Sequence, residues 1–270
     1  MGIVRKRGSG ARWLRRLGFH TVFQPVVDLE SGEVHGYEAL LRGPRRSAWE
    51  SPSRLFAAAH AVGVVHRLDA GALDLALASW RELAPAVRSG ARLFLNVRAA
   101  TLLAVPDLRE RIDRGRRAGD RLVLELSEAE SSPEAVALLG RLCASLQGVE
   151  AAVDDFGAGY SNLAQVMELR PAYVKMDRKL TRLVADDATS GPAVKGLIDW
   201  ASRLPSRIVA EGIERPEQLE RVRHLGVPLG QGWLLGCPSE RPAPPRRRIR
   251  RAAARRKAGG RATRPGGSRG

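Results

Sequence analysis

The sequence predicts an α/β chain folded as a single (β/α)8-like barrel. Three observations carry this reading. Short apolar runs alternate with helical stretches along most of the chain. A polar residue closes several of those runs, as at the strand ends of a parallel barrel. Nothing in the interior reads as a linker, although 270 residues could hold one large domain or two small ones. An open doubly wound sheet is the alternative, but no Gly-x-Gly-x-x-Gly turn follows the first strand.

The elements run in order. Residues 21–29 and 33–41 read as two strands joined by the short Ser31-Gly32 turn, so this pair is expected to be antiparallel. Ser51-Pro52 opens a helical region that continues to about Leu83, on the spacing of Leu55, Ala59, Val62, Leu68 and Leu75. Strands follow at 91–97, 121–127, 149–155, 172–177, 206–211 and 227–231. Helices are expected near 106–117, 132–147, 160–168, 191–204 and 215–225, with Ser132-Pro133-Glu134 and Gly191-Pro192 as starts.

The formal charge of +16 suggests a nucleic-acid binder until it is located. Residues 1–16 carry six Lys or Arg and residues 241–270 carry twelve, with no acid in either segment. Without these, residues 17–240 stand near −2, consistent with an ordinary soluble domain. Residues 1–17 are therefore read as a flexible basic extension, with Trp13-Leu14 and Leu17 able to pack locally. Residues 241–270 hold Ile249 as their only large apolar residue and are read as a disordered Arg-rich tail. The tail is either a solvated extension or an arm for nucleic acid or an anionic membrane. Cys143 and Cys237 lack metal-ligand spacing and read as reduced thiols of a cytoplasmic protein. No apolar stretch reaches the roughly 18 residues of a membrane span, and no signal core follows Arg16.

The chemistry is expected from the closing residues. Glu38, Asn96, Glu125, Asp154, Asp155 and Glu211 each end an apolar run, and Lys175 stands among them. Carboxylates converging on one site repel one another unless a cation is present, and oxygen donors favour Mg2+ or Mn2+. His20, His35, His60, His66 and His224 are scattered, which argues against zinc and against a histidine base. Adjacent strand residues point to opposite faces, so Asp154 and Asp155 share a site only where the strand breaks. Phe156-Gly157-Ala158-Gly159 is the expected break. Two neighbouring carboxylates can then serve two metals about 3.5–4 Å apart, a geometry that cleaves phosphate esters.

Glu38-Ala39-Leu40-Leu41-Arg42 resembles the signature of EAL-type cyclic di-GMP phosphodiesterases. Six further segments match in order: Phe23-Gln24-Pro25, Leu95-Asn96-Val97, Leu124-Glu125-Leu126-Ser127-Glu128, Asp154-Asp155-Phe156-Gly157, Val174-Lys175-Met176-Asp177 and Ala210-Glu211-Gly212-Ile213-Glu214. Gln231-Gly232-Trp233-Leu234 extends the likeness, which covers about residues 18–240. The resemblance implies a modified (β/α)8 TIM-like barrel with an antiparallel first strand, and hydrolysis of cyclic di-GMP to linear pGpG by a homodimer using two Mg2+ or Mn2+ ions. It implies Glu38, Asn96, Glu125 and Asp154 as ligands of one metal, and Asp154, Asp155 and Glu211 as ligands of the other. Lys175 would bind or help deprotonate the attacking water, and Gln231 would orient water or substrate. Arg42 would meet a phosphate and Gln24 a guanine. Glu128 would anchor the loop after Asp155, Asp177 would pair with Lys175 or sit near metal, and Glu214 would support the site from behind. Ala158, Gly43 and Trp233 depart from the commoner Thr, Trp and Tyr without removing a ligand. A receptor that binds cyclic di-GMP without cleaving it is the other reading.

Overall fold

The structure, a computed structural model, describes residues 10–127, 132–158, 163–186 and 191–242. Helix α1 (Gly10–Arg16) leads into strands β1 (His20–Asp28) and β2 (Val34–Arg42). Then come α2 (Pro52–Ala61), α3 (Val65–Glu82), α4 (Pro85–Arg88), β3 (Arg92–Asn96), α5 (Ala99–Ala104), α6 (Leu108–Gly115) and β4 (Arg121–Ser127). The rest is α7 (Pro133–Ala144), β5 (Val149–Phe156), α8 (Leu163–Leu169), β6 (Tyr173–Met176), α9 (Arg178–Asp186), α10 (Gly191–Ala201), β7 (Arg207–Ala210), α11 (Pro216–His224) and β8 (Leu229–Gly230).

The strands close a barrel in sequence order, β1 to β8. β1 is antiparallel to both of its neighbours, β2 and β8, and every other pairing is parallel. The expected hairpin is therefore present, and the first strand is the inverted one. Within the barrel Val26, Phe94, Val123, Ala152, Tyr173, Val209 and Leu229 form a buried apolar layer, one from each strand except β2. β2 contributes Gly36, where a Cβ would lie 2.7 Å from Phe94 Cε2; the missing side chain lets the Phe94 ring fill that sector.

Two expectations need correction. The helical region from residue 52 is two helices, α2 and α3, separated where Gly63 takes φ 69°. The basic extension set at 1–17 overlaps folded structure, because α1 packs on α3. The i, i+3 pair Ala11 and Leu14 is buried, with Leu14 in a cluster with Leu41, Leu55, Leu68 and Leu75. Gly10 N–H donates to Asp74 Oδ2 at 3.1 Å, and Arg15 pairs with Glu82 at 2.7 Å. The Arg-rich tail from residue 243 onward lies outside the described residues. Among the described residues no helix is long and apolar enough to cross a membrane.

Candidate active site

Every strand presents one polar side chain just above the apolar layer. They are Gln24, Glu38, Asn96, Glu125, Asp154 and Lys175, followed by Glu211 and Gln231 directly after β7 and β8. Each stands two residues beyond its strand's member of the apolar layer, or two before it in the inverted β1. Strand period two therefore puts all eight on the inner face. The register staggers them: Gln24 faces Glu38 and Asn96 faces Glu125, but Glu38 faces Phe94 and Glu125 faces Ala152. Such two-residue steps are the shear that closes a barrel.

Lys175 sits at the centre of this ring and has no solvent exposure. Its Nζ lies 2.9 Å from Glu211, 3.0 Å from Glu125, 3.1 Å from Asp154 and 3.4 Å from Glu38. Burial opposes its charge, but the four carboxylates outweigh burial and hold its pKa well above the ordinary lysine value. Its Nζ is close to four carboxylates without an aligned hydrogen bond to any of them. One lysine cannot satisfy all its neighbours. Burial, together with nearby Glu38 and Asp154, pushes Glu125 well up; burial with Asp154 and Glu38 takes Glu211 to about 8. Asp154 is raised by burial, Glu38 and Asp155. Glu38 alone is lowered: burial is outweighed by Lys175 and by hydrogen bonds from Gln231 and Asn96.

Those hydrogen bonds form a chain. Asn96 Nδ2 donates to Glu38 Oε1 at 2.8 Å, and Gln231 Nε2 donates to Glu38 Oε2 at 2.7 Å and to Gln24 Oε1 at 3.1 Å. Gln24 Nε2 donates in turn to the Gly236 carbonyl at 3.2 Å. Glu38 is not at a strand end as expected; it lies mid-way along β2, and this chain of amides fixes its orientation from both sides.

Asp154 and Asp155 do reach one site, and the break that permits it lies at Asp155 itself. Pairing of β5 with β6 slips between Val153 and Phe156, and Asp155 takes φ 57°, a left-handed conformation that aspartate tolerates better than most residues. Its N–H donates to Asp154 Oδ1 at 2.9 Å, and its Oδ2 accepts from Ser127 Oγ at 3.3 Å. Two groups of carboxylates result, each with ligand atoms within 4.8 Å of one another: Glu38, Glu125 and Asp154, and then Asp154, Asp155 and Glu211. Asp154 belongs to both. Neither oxygen of Glu125 has a hydrogen-bond partner; Lys175 is close but not aligned to donate.

A cavity of about 340 Å³ opens beside the ring, lined by Glu38, Asn96, Glu125, Asp154 and Asp155 on one side. Arg42, Phe56, Asp69 and Arg98 line the other. Arg42 is half-buried, and burial lowers its pKa against the pull of Glu38 and Glu50.

Two expected residues fall elsewhere, and a third is not described. Asp177 does not join the four acids around Lys175; its Oδ1 accepts from Lys179 N–H at 2.8 Å and caps α9. Glu214 makes a surface pair with Arg182 at 3.4 Å. Glu128 lies outside the described residues. Phe56, Asp69 and Arg98 line the cavity without a motif that marks them. Asp69 had a signal, an acid on the apolar face of α3 beside Leu68 and Leu73 that is 4% exposed.

The EAL domain family matches residues 10–238. Cyclic di-GMP phosphodiesterase PA2567 of Pseudomonas aeruginosa is 32% identical over 229 residues, spanning 82% of this chain and 38% of that protein. Cyclic di-GMP phosphodiesterase NbdA of the same organism is 31% identical over 80% of this chain and 28% of its own length. The chain thus spans well under half of these curated relatives. Among solved structures, the PaMucR phosphodiesterase in complex with c-di-GMP superposes with TM-score 0.73 at 27% identity, covering 84% of this chain and 94% of that one. The manganese and cy-diGMP complex of Klebsiella pneumoniae BlrP1 gives TM-score 0.73 at 26% identity, over 84% of this chain and 58% of that one. With its closed barrel, inverted first strand and ring of acids, the chain belongs to the EAL domain family.

Proposed function

We propose that this chain hydrolyses one phosphodiester bond of cyclic di-GMP to give linear pGpG, with two divalent cations at the ring of acids. The single observation that carries the reading is the pair of carboxylate groups sharing Asp154. The site suits hard cations: its donors are oxygens, and both Glu125 oxygens are buried without a hydrogen-bond partner. Glu38, Asn96, Glu125 and Asp154 would hold one cation, and Asp154, Asp155 and Glu211 the other, with Mg2+ or Mn2+ as the ions. Asn96 would hold a cation through Oδ1, since its Nδ2 donates to Glu38. When bound, two such cations acidify an attacking water and offset charge on the phosphoryl oxygens.

The remaining work belongs to the chain. Gln231 and Asn96 hold Glu38 in one orientation from opposite sides. Asp155 N–H fixes Asp154. Lys175 keeps its proton on Nζ and donates to the attacking water or a phosphoryl oxygen, offsetting negative charge as the transition state forms. Arg42 lines the same cavity and is placed to meet a substrate phosphate. The names of the two curated relatives and the dinucleotide in the two solved relatives support the choice of substrate.

We place this activity in the cytoplasm, in a homodimer. The Arg-rich segments, most of whose positive charge lies outside the described residues, add at most weak polyanion binding. The test is chromatographic detection of pGpG from cyclic di-GMP with Mg2+ or Mn2+. Turnover that needs metal is expected. A folded, metal-loaded chain that binds cyclic di-GMP without producing pGpG would be a receptor instead.

A further inference from the structure

A face outside the barrel carries exposed tryptophans that packing does not explain. The outer side of α1 presents Arg12, Trp13, Arg16 and Leu17, because Ala11 and Leu14 face inward and Leu17 N–H continues the turn to the Trp13 carbonyl at 3.3 Å. Trp13 is 59% exposed and Leu17 47%. Trp49, 48% exposed, stands on the loop after β2. That loop closes at Gly43, where a Cβ would run into the Trp49 carbonyl, and Trp49 N–H donates to Ser47 Oγ at 3.2 Å. The loop adjoins the end of α1, since a Cβ on Gly18 would lie 3.3 Å from Pro44. Trp13, Trp49 and the exposed Val62 border one apolar groove of about 1620 Å³, lined below by the buried Leu55, Ala59 and Leu68. Cations rim this face. Arg12 and Arg16 flank Trp13, Arg54 lies on the same i, i+4 stripe of α2 as Ala58 and Val62, and Arg67 lines the groove. Among the described residues none of these four makes an ion pair, and the nearby acids are engaged elsewhere: Glu82 with Arg15, Glu240 with Arg45, and Asp74 and Asp107 with Arg111. Glu50 accepts from Arg46 N–H at 2.9 Å.

We propose that this face docks on an anionic lipid bilayer, with Trp13, Leu17 and Trp49 entering the headgroup layer and Arg12, Arg16, Arg54 and Arg67 meeting lipid phosphates. Tryptophan favours the membrane interface, where its ring is shielded and its N–H stays wet. Arginine beside tryptophan and leucine on the outer side of a helix is the pattern of a segment that lies in that interface. The free charge on the face is of one sign, which is complementary to anionic headgroups. Charge alone gives an attraction that salt screens; the inserted rings add a contribution that salt does not screen. The contact is peripheral and independent of the reading of the substrate. β2 ends and the inverted β1 begins at the C-terminal mouth, so docking through α1 and the loop after β2 sets that mouth close to the bilayer surface.

The test uses the full chain, tail included, and vesicles of phosphatidylcholine alone or with about one-quarter phosphatidylglycerol. Cosedimentation should show binding to the anionic vesicles and partitioning to the neutral ones at least about tenfold weaker. Trp13→Ser combined with Trp49→Ser should lower partitioning to the anionic vesicles by about tenfold, although every positive charge remains. Arg12→Gln combined with Arg16→Gln should lower it at low salt and less at high salt. The serine variant should keep the wild-type melting temperature, because both rings stand largely in solvent. If it does not fold, Trp13→Phe combined with Trp49→Phe carries the test: lipids brominated in the acyl chain should quench wild-type tryptophan emission and quench that variant much less. A wild type that ignores anionic vesicles would overturn the proposal. Equal partitioning by wild type and the serine variant would also overturn it and assign the binding to the Arg-rich tail. A serine variant that changes oligomeric state while binding vesicles as before would make this face an interface between copies of the chain instead.

Discussion

The two mouths of the barrel are built from the same strands and carry opposite chemistry. At the C-terminal mouth, Lys175 faces Glu38, Glu125, Asp154 and Glu211 within 3.4 Å, and all but the partly exposed Glu211 are buried. At the N-terminal mouth, Arg92, Arg121 and Arg207 begin β3, β4 and β7. There Arg92 pairs with Glu150 at 3.1 Å and Arg207 with Asp28 at 3.3 Å, each pair partly exposed. Arg207 also donates to His35 Nδ1 at 3.2 Å, which leaves Nε2–H to donate to Tyr173 Oη at 2.9 Å. Burial, then Arg207 and Arg92, take His35 down to about 4 and keep it neutral. The comparison teaches how to tell a working site from a structural one. Charges that find partners and water are structural, whereas buried charges left in excess of their partners await a ligand.

The largest expected effect breaks one mouth only. Glu38→Ala should lower cyclic di-GMP hydrolysis by roughly 10³-fold, about 4 kcal/mol, with the barrel intact by circular dichroism. Arg207→Gln, at the other mouth, should change the rate by less than about twofold; a large loss there would erase the distinction between the mouths.

Next comes the central lysine. Lys175→Met leaves the acids without their counter-ion and should destabilise the metal-free protein by about 3 kcal/mol in urea unfolding. Mn2+ should then raise the melting temperature of the variant more than that of wild type. Equal shifts would mean that Lys175 does not stand in for cation charge.

The mouths should also differ in the sign of their pH response. Glu211 has a folded pKa near 8 against an ordinary 4.5, so its contribution is complete below 4.5 and is lost as pH rises toward 8. His35 has a folded pKa near 4 against 6.5, so its contribution is complete above 6.5 and is lost as pH falls toward 4. In the metal-free protein Glu211→Gln should flatten the upper window and His35→Gln the lower one, measured by denaturant titration across pH. Saturating Mn2+ should abolish the upper window alone.

The smallest effect concerns the tail. Removing residues 241–270 should leave hydrolysis within about twofold and weaken polyanion binding at low salt more than at high salt. Equal binding with and without the tail would remove the arm reading.

The ring was legible in the sequence because each acid ends or interrupts an apolar run, and strand period two does the rest. Glu38, Glu125, Asp154 and Lys175 come together as their spacing implies. The inverted first strand was legible from one short turn. Less could be read where geometry depends on a partner element. Asp177 shares a strand face with Lys175 in the sequence pattern, but β6 ends at Met176 and the chain turns into α9, so the carboxylate becomes a cap. The N-terminal boundary was misplaced because seven residues dense in arginine hide a two-residue apolar contact, Ala11 and Leu14. The Arg98 and Phe56 pair joins residues 42 positions apart and leaves no periodic trace.

The Phe94 ring over Gly36, edge-on to Tyr173 with centroids 5.1 Å apart, also has an electrical meaning. It is part of a dry slab of low permittivity that separates an acid plate from a basic one. Field lines from the carboxylates are driven out through their own opening rather than screened from below. Carboxylates gathered at that one opening favour cations there.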